Sequence, residues 1–333
     1  MQEGVITKST GSWYSVRLED GTKVACRIGG KFRKEDKRLT NPIAVGDRVK
    51  IITEVDDEGT GVIRAILPRE NYVVRQSPRK KHALHLIASN IDQAIIVMTI
   101  REPKLKQGFI DRFLLMTEPF NIPTIIAFNK VDVYKEEDIE ILAYLQDVYE
   151  DIGYQTLILS ATEGHGLDEF KEALTNKTSL IGGQSGVGKS TLINAIAPDL
   201  ELRTGDISDY SGKGQPTTTF AEMFELSFDG LLIDTPGIKT LSFNYLEPID
   251  VAHNFREFFA ASENCKFGGN CLHRSEPGCA VKAGLEDGTF SELRYANYLT
   301  LLDEMEEQNY WERRKVWGSR RWEIRNRKSE IGS

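Results

Sequence analysis

The chain has 333 residues, 40% hydrophobic and 28% charged, with a formal net charge of −8. That length has room for two or three domains and a sizeable core, and the composition is that of a soluble globular protein. The negative balance excludes a protein that coats nucleic acid indiscriminately. The longest apolar run, Ala94 to Met98, is far too short to cross a membrane.

Residues 1–70 alternate short strand signals with turns. Gly4–Ser9, Trp13–Leu18, Lys23–Arg27, Arg48–Glu54 and Gly61–Leu67 read as five strands, with Asp20-Gly21 as a hairpin turn. Five strands in this space predict a small OB-type barrel. The stretch Gly29–Asn41, with basic residues at 31, 33, 34, 37 and 38, is expected to be a loop. A second domain is expected over 71–245. Gln93–Met98, Pro123–Phe128, Gln155–Ser160, Thr178–Gly182 and Leu231–Thr235 are apolar runs suited to a buried, mainly parallel sheet. Gln107–Glu118, Glu136–Asp151, Leu167–Leu174 and Lys189–Ala197 have helical spacing, which makes the domain three-layered α/β. A third region, 246–333, reads as a short helix near Val251–Ser262, a cysteine cluster, a long helix near Ser291–Arg314 and a basic tail. Residues 312–328 hold eight Lys/Arg against two Glu, interleaved with Trp317 and Trp322. Residues 75–85 add Arg75, Arg79, Lys80 and Lys81 without an acid. Such patches grip phosphates or simply solvate a helix face.

The middle domain carries the chemistry. Gly183-Gln184-Ser185-Gly186-Val187-Gly188-Lys189-Ser190-Thr191 lies between a predicted strand and helix, the context that makes a phosphate loop. Its glycines let backbone N–H groups face a phosphate. Lys189 is expected to reach the β/γ-phosphates, and the Ser190 hydroxyl to hold Mg²⁺. Asp234-Thr235-Pro236-Gly237 ends an apolar strand. Asp234 is expected to hold Mg²⁺ through water, and the Gly237 N–H to sense the γ-phosphate. Between them, one hydroxyl of Thr217-Thr218-Thr219 should meet Mg²⁺ when GTP is bound, with polar Thr204–Gly214 as a switch. Asn129-Lys130-Val131-Asp132 selects the base. A carboxylate at Asp132 accepts from guanine N1–H and its 2-amino group, donors that adenine lacks. Ser160-Ala161 is where guanine O6 would meet backbone N–H groups. The tetrad precedes the phosphate loop, whereas an ordinary small GTPase has it after, so the chain reads as circularly permuted. Ile238 stands where a water-orienting Gln is usual.

Cys265, Cys271, His273 and Cys279 offer three thiolates and an imidazole, a full tetrahedral set for structural Zn²⁺. Gly268-Gly269 and Pro277-Gly278 supply the turns between them. Cys26, in a barrel strand, reads as core, and His82, His85, His165 and His253 have no partner pattern. Met1-Gln2-Glu3-Gly4 has no signal pattern, so a cytoplasmic location is expected.

Together these motifs resemble the ribosome small subunit-dependent GTPase A family, RsgA/YjeQ, over nearly the whole chain. The resemblance implies a GTP hydrolase that acts in late maturation of the small ribosomal subunit and is stimulated by that subunit. It implies 16S rRNA contacts from the barrel and zinc domains, with GTP/GDP, Mg²⁺ and one structural Zn²⁺ as ligands. It further implies a monomer without membrane contact. Lys189, Thr218, Asp234 and Gly237 carry over as the catalytic set. There are two departures. The first cysteine pair has one residue more than the family spacing, and Pro216 stands where the family has a hydrolysis-assisting His before the threonines. Pro216 and Ile238 keep an alternative open: a GTP-gated RNA-binding protein with little hydrolysis.

Overall fold

The computed structural model describes residues 1–29, 41–53, 59–76, 84–106, 108–202, 221–234, 243 and 246–307. The basic stretch near 31–38, the basic segment with Arg79 to His82, the expected switch at Thr204–Gly214, Pro216 to Thr219, Gly237, Ile238 and the basic tail lie outside them. The chain divides into two compact units, Met1–Ser242 and Phe243–Ser333.

The first unit opens with β1 (Gln2–Ser9), β2 (Tyr14–Leu18), β3 (Lys23–Ile28), β4 (Arg48–Thr53) and β5 (Gly61–Ile66). Their order is β1-β2-β3-β5-β4, and β4 pairs back onto β1, so the sheet closes into a five-stranded barrel. Alternate residues face inward, and Ile6, Val16, Val24, Cys26, Val49, Ile51 and Ile63 fill the interior. Burial pushes the Cys26 thiol up to about 11, which leaves it an inert core residue, as expected.

A hairpin that the sequence pattern did not reveal follows: β6 (Tyr72–Gln76) and β7 (Leu84–Ser89). The α/β part then runs β8 (Gln93–Met98), α1 (Phe109–Thr117), β9 (Thr124–Phe128), α2 (Glu136–Glu150), β10 (Gln155–Ile158), α3 (Leu167–Leu174), β11 (Thr178–Gly183), α4 (Lys189–Ile196), β12 (Glu222–Leu226) and β13 (Gly230–Asp234). The order β10-β9-β8-β11-β13-β12 is parallel except for antiparallel β12. Every residue of β8 and β9 is buried, so both faces of the sheet centre are covered, as the continuous apolar runs required.

β12 was also not foreseen. It pairs with β13 on one side and touches barrel strand β1 at Lys8↔Glu222 on the other. Barrel and α/β strands therefore form one eleven-stranded sheet among the described residues. A second tie is buried and polar. The Asp47 carboxylate, 0% exposed, accepts from Arg69 at 2.7 Å through both oxygens, from Ser89 Oγ at 2.6 Å and from the Ala44 N–H at 2.9 Å. Gly46 beside it, at φ +91°, has room for no side chain, because a Cβ would lie 2.0 Å from the Ser89 carbonyl oxygen.

Among the described residues the second unit has three short helices, α5 (Pro248–His253), α6 (Arg256–Ser262) and α7 (Ala280–Glu286), and a longer one, α8 over 292–307. The single helix expected near Val251–Ser262 is two. The break at Asn254 and extended Phe255 buries the Phe255 ring under the Arg294 guanidinium, 4.4 Å away. Arg294 is itself buried and bidentate to Glu257, at 2.8 and 2.9 Å.

Candidate functional site

Every motif of the middle domain within the described residues sits at the carboxyl end of a parallel strand. Asn129 follows β9, Ser160 follows β10, the glycine-rich loop follows β11 and Asp234 ends β13. The chain steps outward from β8 to β10, then returns to place β11 on the other side of β8. Open α/β sheets bind ligands outside the strand ends at such a reversal.

The glycine-rich loop has the backbone that phosphate binding needs. Gly183, Gly186 and Gly188 have φ of +149°, +82° and +90°. A Cβ on Gly183 would lie 2.2 Å from the Val97 carbonyl oxygen. One on Gly188 would lie 2.6 Å from Asn129 Nδ2. That close approach has a purpose: Asn129 Nδ2 donates to the Val187 carbonyl at 2.8 Å, which ties the base-reading segment to the phosphate loop across 58 residues. Lys189 Nζ donates to the carbonyls of Gly183 (3.0 Å) and Gln184 (2.9 Å), and Ser190 is buried just behind it. Asn129 Oδ1 and Gln184 Nε2 are buried without a hydrogen-bond partner, one on each loop, and a bound nucleotide is a source of partners for both.

Lys130 takes a left-handed backbone, φ +64°, and its ammonium reaches the Glu102 carbonyl at 2.9 Å. The Asp132 carboxylate accepts from Ser160 Oγ at 2.5 Å and Thr162 Oγ1 at 3.1 Å. The Ser160 bond holds it below the usual carboxylate range, so it is an ionised acceptor at neutral pH. Ser160 was expected to matter through its backbone; its side chain orients Asp132 as well. Tyr134 went unnoticed in the sequence because it belongs to no motif. Its hydroxyl donates to the Asn129 carbonyl at 2.9 Å and accepts from the Ile100 N–H at 2.8 Å, and burial pushes it up to about 12. Thr218 and Gly237 lie outside the described residues.

In the second unit the ligand atoms of Cys265, Cys271, His273 and Cys279 all lie within 4.8 Å of one another, and all four residues are buried. His273 Nδ1 is 3.7 Å from Cys265 Sγ and 3.4 Å from Cys279 Sγ, so it is the nitrogen facing the thiols. Zinc bonds of about 2.0–2.3 Å in a tetrahedron give ligand separations of about 3.5–3.8 Å. Burial pushes the Cys271 and Cys279 thiols up and holds His273 down. Buried thiolates therefore need a cation here, while a neutral imidazole is ready to ligate. The turns are those expected: Gly268 and Gly278 have φ of +52° and +68°. Three further residues hold the cluster without being motif residues. Tyr295 and Tyr298 hydroxyls donate to the carbonyls of His273 (2.6 Å) and Leu272 (2.7 Å). The Glu276 carboxylate accepts from the N–H groups of Leu272 and Arg274. Of the histidines set aside, His253 lies with Nε2 2.7 Å from the Gly269 carbonyl oxygen, its ring tilted against Phe259 at 4.8 Å. Burial brings His85 down to about 4, so it is neutral.

The whole chain can be set beside known proteins. Residues 66–244 match the family model described as RsgA GTPase, and residues 3–63 match that of the RsgA N-terminal domain. The chain belongs to the RsgA GTPase family. It is thus a GTP hydrolase of circularly permuted fold. The small ribosomal subunit biogenesis GTPase RsgA of Bacteroides fragilis is 47% identical over 308 residues, 92% of this chain and 98% of the relative. The RsgA of Flavobacterium johnsoniae is 47% identical over 319 residues, 96% of this chain and 97% of the relative. Among solved structures, YjeQ from Thermotoga maritima is similar with a TM-score of 0.73 at 34% identity, covering 91% of this chain and 98% of that one. YloQ, described as a circularly permuted GTPase, matches with a TM-score of 0.69 at 31% identity, covering 92% and 96%.

Proposed function

We propose that this chain binds the small ribosomal subunit and acts in its late maturation, with GTP hydrolysis stimulated by the subunit and driving release. One observation carries most of the weight: relatives named small ribosomal subunit biogenesis GTPase match over both units at nearly full length. In this reading the domains are a barrel over 1–70, a permuted GTPase domain over 71–245 and a zinc-binding region over 246–333. The partner is 16S rRNA within the subunit, and the protein works as a cytoplasmic monomer. No helix among the described residues is long and apolar enough to cross a membrane.

In this reading each motif has a role. Asp132, fixed by Ser160 and Thr162, reads guanine N1–H and the 2-amino group. Asn129 braces the two loops against each other, Lys130 lies along the base, and Ser160-Ala161 meets O6. Gly183 to Thr191 cradle the phosphates, with Lys189 neutralising their charge. Ser190, Thr218 and, through water, Asp234 would hold Mg²⁺, which would stabilise charge developing on the phosphates. Gly237 senses the γ-phosphate. Cys265, Cys271, His273 and Cys279 hold one structural Zn²⁺; with four protein ligands it has no open position for catalysis.

The test is co-sedimentation of the purified protein with small subunits in a non-hydrolysable GTP analogue and in GDP. Retention with the analogue and release with GDP is expected. Equal retention in both states would overturn the release step.

A further inference from the structure

The outer face of the barrel's β2–β3 hairpin carries an arrangement that costs free energy unless an anion is present. β2 buries Tyr14, Val16 and Leu18 and turns Arg17 outward; β3 buries Val24 and Cys26 and turns Lys23 and Arg27 outward. The register sets Arg17 directly opposite Lys23. Like charges opposite one another destabilise a strand pair. The Glu225 carboxylate offsets this, with one oxygen 3.2 Å from Arg17 and the other 3.4 Å from Lys23. Glu225 is not a barrel residue: it lies on β12, the edge strand of the nucleotide domain. The other acid of β12, Glu222, pairs with Lys8 of the barrel at 2.9 Å. Both carboxylates of β12 are thus held by barrel cations.

Those cations remain within reach of a larger anion. The Lys8 and Lys23 side chains are 45% and 59% exposed. On the same face the Arg27 guanidinium lies 3.9 Å over the Trp13 ring. Cations beside a half-buried aromatic at the start of strand 2 of an OB-type barrel suit the phosphates of a single strand, with the Trp13 ring edge as a contact for a base. Arg17 and Glu225 also line an open cleft of ≈ 320 Å³ together with Lys177.

β12 is wired to the nucleotide end. Glu222 is the register partner of Lys8 on one side and of Asp234 on the other. Barrel cation, β12 acid and the aspartate of the γ-phosphate motif therefore stand in one row across three strands.

We propose that Lys8, Arg17 and Lys23 are a shared cation set, for which RNA phosphates compete with Glu222 and Glu225 of β12. RNA on the barrel face releases β12 from its clamp, and through the Glu222–Asp234 row this reaches the nucleotide site. By linkage, a nucleotide state that draws β12 away from the barrel frees the cations for RNA. The inference rests on reading the chain as a subunit-dependent GTPase and says how barrel contact is felt by the nucleotide.

The test uses the full chain with a twelve-nucleotide oligouridylate and purified small subunits as probes. Glu222→Gln/Glu225→Gln keeps shape and removes the competing charge. It should bind the oligonucleotide about three- to tenfold more tightly, the change expected for losing one or two exposed ion pairs. Arg17→Gln/Lys23→Gln should lower the slope of log K against log salt by about 1.4, two phosphate contacts on a single strand. In the wild type, the oligonucleotide should speed amide exchange over residues 222–226, a readout independent of any variant's folding. Unchanged or weaker binding by the glutamine variant, or unaltered exchange in β12, overturns the competition. If wild-type protein fails to bind small subunits while the oligonucleotide competition holds, the functional reading fails instead.

Discussion

The barrel and the Cys/His unit are both small, and they are held together by different means. The barrel removes its own edges by pairing β1 with β4, fills its interior with aliphatic side chains and shares a sheet with the nucleotide domain. Among its described residues the second unit has three short helices and one longer one, packed on Phe255, Phe258 and Tyr298 and converging on four buried Cys/His side chains that could hold a metal ion. Regions this small seldom form a sufficient core alone. Sheet fusion is one remedy and a metal is another. The difference teaches where each is vulnerable: the barrel through its packing and its buried carboxylate, the second unit through its ligands.

The largest expected effect is therefore on the metal side. Cys271→Ala should lose zinc and unfold the segment near 260–285, because structural zinc contributes about 10–16 kcal/mol of apparent binding energy that is coupled to folding. Nucleotide affinity should stay near wild type. Metal analysis and amide exchange check both halves, and full zinc stoichiometry would show the ligand set is wrong.

Asp47→Ala strikes the barrel side. It leaves Arg69 with its buried carboxylate partner gone and the Ser89 hydroxyl with only the longer bond to the Val45 carbonyl, at 3.4 Å. Breaking a buried pair in this way costs about 3–5 kcal/mol. Denaturant unfolding should show that loss in the first unit with zinc content unchanged. Loss of zinc instead would erase the contrast between the two regions.

Gly188→Ala tests the seam inside the nucleotide domain. A left-handed φ costs a non-glycine residue about 1–2 kcal/mol, and the new Cβ would collide with Asn129 Nδ2. Guanine and phosphate recognition should weaken together, by roughly tenfold or more in GTP affinity measured by fluorescent-nucleotide titration. Wild-type affinity would mean the Asn129–Val187 tie is dispensable.

Asp132→Asn should weaken GTP binding by roughly 1–3 kcal/mol, a charged hydrogen bond lost, and admit xanthine nucleotide instead. Competition binding with the two nucleotides reads this directly; unchanged GTP preference would defeat the guanine assignment.

The smallest effect is expected at Pro216→His. Proline has no donor and no exchangeable proton. A positioned histidine is typically worth 10²–10⁴-fold, and imperfect placement reduces this to about tenfold in subunit-stimulated turnover, with GTP affinity little changed. No gain over a brisk wild type would mean that another group orients the water.

The sequence revealed elements in proportion to how far local pattern decides them. β1 to β5 alternate inward and outward residues, and β8, β9 and β11 are continuous apolar runs, so both sets were legible. β12 reads Glu-Met-Phe-Glu-Leu and shows neither pattern clearly. It is a strand because β13 and the barrel flank it, which is tertiary information. The β6–β7 pair was hidden by the basic sequence between its strands and by a register shift between Val73 and Val74. The split between α5 and α6 answers to Arg294, some forty residues away in the chain. At the sites, ligand-type residues announce themselves by spacing. Tyr134, Tyr295, Tyr298 and Glu276 do not, because they act by fixing backbone groups of the motif residues.

The account stands most directly on GTP hydrolysis measured with and without purified small ribosomal subunits, at saturating GTP and matched zinc content. It predicts slow turnover by the protein alone and a rise of at least about a hundredfold when subunits are added, the scale on which supplied positioning groups act. Identical rates with and without subunits, despite tight GTP binding, would contradict it and leave a nucleotide-gated RNA-binding protein.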